Sequence, residues 1–86
     1  VALESIGIDP ETDKEHCPAV FVDRETGDLV FQGWTVAEAE TLRQVAAHSP
    51  IAADESVVRL PTRMAPIVRE ALAALEADDG GAAAVR

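Results

Sequence analysis

β-branched and aromatic runs fill the first half of the chain, and apolar residues at three- and four-residue steps fill the second. Ala19-Val-Phe-Val-Asp23 and the run from Asp28 to Trp34 flank Arg24-Glu-Thr-Gly27. Two such runs around a short segment ending in Gly predict a β-hairpin, with Gly27 supplying the positive φ of a G1 bulge. On the second strand Leu29 and Phe31 share one face, and Val30, Gln32 and Trp34 share the other. Both faces therefore carry apolar groups, which suggests one face on helices and the other partly in an interface. Thr35-Val-Ala-Glu38 has the spacing of a capping box, so a helix is expected from there to about Ala47, with Ala39, Leu42 and Val45/Ala46 as its stripe. His48-Ser49-Pro50 ends it. Ser56–Leu60 reads as a third strand that Pro61 closes. Met64, Ile67, Val68, Ala71, Leu72 and Leu75 form the best amphipathic stripe in the chain. Pro66 fits only a first helical turn, so this helix begins at Met64 or Ala65.

These elements predict an α+β fold: a small antiparallel sheet, made of the hairpin plus the strand at 56–60, packed by two helices. Residues 1–18 read as an acidic, flexible arm, because Asp9-Pro-Glu-Thr-Asp-Lys-Glu15 is highly charged and aperiodic. Residues 19–77 form the single domain, and 78–86, opening on Asp78-Asp-Gly-Gly81, form a tail.

Composition then changes the picture. An 86-residue chain buries a small share of its surface. Here the aromatics are only Phe21, Phe31 and Trp34, and alanine supplies much of the 48% hydrophobic content. A core this weak favours association with a second copy or with a partner. The exposed edges of a small sheet invite the same pairing. The net charge of -9 makes direct nucleic-acid binding unlikely, since phosphates demand Lys and Arg. It also argues against an anionic membrane surface and in favour of a basic protein partner. A solubilising role for the acidity alone is the plainer alternative. A single cysteine cannot form an internal disulfide, no apolar run approaches membrane-spanning length, and the first residues lack a signal peptide's basic region, so a cytoplasmic setting is expected. Six Arg to one Lys, with abundant Ala and Val, suggests an actinobacterial source.

Candidate chemistry is sparse. His16, Cys17 and His48 are the only soft-metal set, and they fall short of the four spaced ligands of a structural zinc site. The carboxylates lie in solvated runs with no Gly-rich loop or apolar pocket beside them. No catalytic, cofactor-binding or metal residue is therefore assigned, and the chain is read as non-enzymatic. The interface candidates are Trp34, Val30, Gln32 and Arg59; Trp is enriched at binding hot spots, while its plainer role is to roof a small core. A second reading places Arg59 and Arg63 on DNA, as a strand–helix segment at 56–76 does in ribbon–helix–helix and swapped-hairpin repressors with an antitoxin-like role.

The segments Cys17-Pro-Ala-Val-Phe-Val-Asp-Arg24, Gly27-Asp-Leu-Val-Phe-Gln-Gly33, Val57-Val-Arg-Leu-Pro61 and Met64-Ala-Pro-Ile-Val-Arg-Glu-Ala71 resemble small actinobacterial proteins encoded beside helix-turn-helix regulators, broadly the BldB-like family. The resemblance covers residues 17–76. It implies a small non-enzymatic protein that forms a homodimer and works with a helix-turn-helix transcription factor.

Overall fold

A computed structural model describes residues 3–11 and 17–79. Strand β1 (Leu3–Ile8), β2 (Ala19–Asp23) and β3 (Asp28–Gln32) form an antiparallel sheet in the order β1-β2-β3. A separate two-stranded ladder joins β4 (Trp34–Thr35) to β5 (Val58–Arg59). Helix α1 (Ala39–His48) lies between these two strands in sequence. A 3-10 turn at Thr62–Met64 leads into α2 (Ala65–Asp79). This is the expected α+β class.

The hairpin forms as its sequence dictates. Gly27 has φ 80° and donates its amide to the Asp23 carbonyl at 2.8 Å. The Asp23 carboxylate accepts from the amides of Glu25 and Thr26, pinning the turn. In the register Val20 faces Phe31 and Val22 faces Leu29, so these four share a face, and Phe21 and Val30 share the opposite one. The first face holds the core: Val20, Val22, Met64 and Ala71 are buried together, with Ile6, Leu29, Leu60, Ile67, Val68 and Leu75 packed around them. Helix α2 lies on β1 and β2. Its Ile67 sits so close to the strand that a Cβ at Gly7 would come within 2.9 Å of Ile67 Cγ2.

The structure corrects four expectations. The N-terminal arm is not irregular from Leu3 to Ile8: that segment is the strand beside β2, with the register shift of a bulge between Ser5 and Gly7. Residues 12–16 of the expected arm lie outside the described residues. The third strand of the main sheet is thus β1, while β5 pairs only with β4. The capping box does not form. Thr35 is held in a ladder opposite Val58, and the Val36 amide donates to the Val57 carbonyl at 3.0 Å, so the chain is still extended where the helix was expected to start. Glu38 is the N-cap, without a side-chain capping bond, and its carbonyl accepts from the Leu42 amide. Residues 78 and 79 continue α2 rather than starting the tail; the remainder of the expected tail lies outside the described residues.

Candidate interaction surface

The sheet's second face is built from residues at matching register positions. Leu3, Asp23 and Asp28 form one row, Ser5, Phe21 and Val30 the next, and Ile8, Ala19 and Gln32 the last. Leu3 is 48% exposed, Ile8 54% and Val30 36%. Antiparallel sheets commonly present polar side chains on the face that water covers; this one presents Leu3, Ile8 and Val30, with Phe21 half-buried and Ala19 buried among them.

The four interface candidates divide between the two sheets. Val30 and Gln32 lie on the face just described, both exposed. Trp34 and Arg59 oppose each other in the β4–β5 ladder. Trp34 is 37% exposed and is absent from the buried cluster. Its position depends on Gly33, where a Cβ would meet the Arg59 carbonyl oxygen at 2.8 Å, Leu60 Cδ2 at 3.1 Å and Val58 Cβ at 3.3 Å. The backbone of β5 fills the space that any side chain at 33 would need. Gly33→Ala is expected to push β5 aside and cost about 2 kcal/mol. Urea unfolding gives the cost, and the emission of the single Trp reports the displacement; an unchanged midpoint and spectrum would refute the close approach.

Helix α1 adds a second exposed element. It buries no residue, and its apolar stripe of Leu42 and Val45 is only half-covered. Its polar side is organised by Glu40, which accepts from Arg43 Nε at 3.1 Å and from Gln44 Nε2 at 2.9 Å. The Arg43 hydrogen bond, then that of Gln44, hold the Glu40 carboxyl below its ordinary pKa. The lowered folded-state value means that this support is present above the unfolded carboxyl pKa and fades as pH falls through the folded one.

Arg24, Arg59 and Arg63 are each engaged by one of the chain's own acids. Arg24 Nε donates to Glu4 at 2.7 Å, and Arg59 Nη2 to Glu38 at 3.4 Å. Arg63 grips Asp9 through Nε and Nη2, both at 2.7 Å. The Asp9 hydrogen bond holds the Arg63 guanidinium above its ordinary pKa. Both residues assigned to DNA in the second reading are thus occupied. Asp9 itself was missed by the sequence reading, which placed it in a solvated run; its side chain is fully buried.

Cys17 is half-buried and His48 exposed, while His16 lies outside the described residues. Among the described residues no three His, Cys, Asp or Glu side chains come together as a metal site. A shallow cleft of about 480 Å³ opens between Leu60, Pro61, Met64, Val68 and Arg69. No helix among the described residues is long and apolar enough to cross a membrane. Comparison with family models, with curated proteins and with solved structures finds no match to this chain.

Proposed function

We propose that this chain is a non-enzymatic protein-interaction module: a homodimeric accessory regulator working with a helix-turn-helix transcription factor in an actinobacterial cytoplasm. The observation that carries the reading is the uncovered apolar surface. Leu3, Ile8 and Val30, on one face of the three-stranded sheet, are all more than a third exposed, as is Trp34 in the β4–β5 ladder, while the buried core cluster among the described residues is four side chains. Contiguous exposed apolar patches mark interaction sites. The outer strands β1 and β3 have no further strand beside them among the described residues, which suits pairing with a second copy. The class of partner follows from the resemblance over residues 17–76 and from the charge of -9, which attracts a basic protein.

Light scattering on the intact chain is expected to give twice the 9.1 kDa of one copy, and the chain as bait is expected to retain a helix-turn-helix protein from native lysate. Trp34→Ala is expected to weaken that retention at least tenfold, as loss of a hot-spot aromatic does, while leaving the amide spectrum of a folded protein. A monomer at high concentration that retains no such protein would overturn the proposal.

A further inference from the structure

From the open face of the three-stranded sheet we infer the kind of partner that covers it: an amphipathic helix with an apolar stripe and lysine or arginine at the end that meets Asp23 and Asp28. This rests on reading the chain as an interaction module, and it adds the site and the chemistry of the occupant.

A sheet apolar on both faces buries both only as the middle of three layers. Helix α2 supplies one outer layer, packed on β1 and β2. The other face offers Leu3, Ile8, Phe21 and Val30, with the last of these exposed like the first two. Its strands of five and six residues run for about 17–20 Å, the length of three to four helical turns. A helix therefore fits this face as α2 fits the other.

Charge selects the occupant. Asp23 and Asp28 stand directly opposite each other at one end of this face, a like-charge pair that destabilises a ladder. The Asp28 carboxylate has no partner among the described residues, and Asp23 is fixed by the turn amides. Arg24, next in sequence, is tied to Glu4. A cation seated between the two aspartates relieves the repulsion and fixes the direction of the helix, and the net charge of -9 draws cationic partners from a distance. A second copy laid on this face brings no run of cations to Asp23 and Asp28, and the edges of β1 and β3, unpaired among the described residues, are where it pairs, which leaves this face to another occupant.

The test uses the intact isotope-labelled chain and a synthetic helical peptide of leucine and lysine, with a leucine–glutamate peptide of the same pattern as its control. Amide shifts are expected at Leu3, Ile8, Phe21 and Val30, and the glutamate peptide is expected to leave them in place. Asp28→Asn should weaken binding about threefold at low salt, and raising the salt should remove that difference. Val30→Thr, which keeps the strand's shape, should weaken binding about fivefold. Three results overturn the inference: shifts confined to the cleft around Leu60 and Arg69, equal binding of the two peptides, or concentration-dependent shifts at the open face without any peptide. The first two leave the interaction-module reading standing, and the third assigns the face to a second copy. Absence of any binding, from a chain that still retains a helix-turn-helix protein, sinks this inference alone.

Discussion

Asp9→Asn is expected to lower the unfolding free energy by about 3 kcal/mol and the melting temperature by roughly 15 °C. Asp9 follows the last residue of β1, with its amide on the Pro18 carbonyl at 2.8 Å. Its carboxylate accepts both Arg63 bonds and the Glu11 amide at 3.0 Å. One buried side chain thus connects the end of β1 to the turn that starts α2, 54 residues away in sequence. Asn keeps one oxygen for the guanidinium and turns an NH2 donor toward the other nitrogen, so two bonds between opposite charges fall to at most one bond from Arg63 to a neutral acceptor. The Arg63 end remains 37% exposed, so water can recover part of its solvation. That places the cost at the low end of what breaking a buried pair incurs. Arg63→Gln should shift the urea midpoint at least as far, because it strands the fully buried carboxylate rather than the half-exposed guanidinium. The double variant should lose much less than the sum of the two, since the residues act as one unit. A midpoint moved by less than about 1 kcal/mol in Asp9→Asn, typical of an exposed ion pair, would show that the pair does not hold β1 to α2.

That contact shows where the sequence was and was not legible. The hairpin was legible because local chemistry decides it: Gly27 at the turn, and the alternation of Leu29 and Phe31 against Val30 and Gln32. The start of α2 was legible because Pro66 admits few alternatives. Strand β1 was hidden by its own bulge. Leu3 and Ile8 lie on the same face only because one residue between Ser5 and Gly7 is unpaired, which breaks the two-residue period that marks a strand. Asp9 sat in a charged run, and nothing local distinguishes a carboxylate that finds an arginine 54 positions away. Thr35 failed as a cap for a similar reason: its ladder partner Val58 lies far along the chain. The interface candidates were readable as residues but not as a surface. Val30 and Gln32 belong to one sheet, Trp34 and Arg59 to another, and Leu3, Ile8 and Phe21 complete the open face only once β1 is in place.

Met64→Ala is expected to cost about 3 kcal/mol and to come close to unfolding the chain at 37 °C. Among the described residues Met64 is the largest side chain with no exposure, and it ends the 3-10 turn whose amide bond to the Pro61 carbonyl sets the entry to α2. It fills the space between Val20, Val22 and Ala71. Ala71 cannot expand into the vacancy, and Val20 and Val22 are fixed by ladders on both sides, so the site collapses poorly and the cavity term stays large. Met64→Leu should lose less than about 1.5 kcal/mol, because volume is nearly conserved. Leu72→Ala, on the same helix but 43% exposed, should stay within about 0.5 kcal/mol. Urea unfolding of the three variants checks the order, and equal losses at positions 64 and 72 would refute it. Met64 lies on the α2 side of β2, opposite the face formed by Leu3, Ile8, Phe21 and Val30. At a low temperature where Met64→Ala is still folded, its affinity for the leucine–lysine peptide should therefore equal the parent's. Val30→Thr should show the reverse, a weaker complex at nearly unchanged stability. If the two effects prove inseparable, the faces of this sheet are coupled, and the outer face is part of the core rather than a surface for a partner.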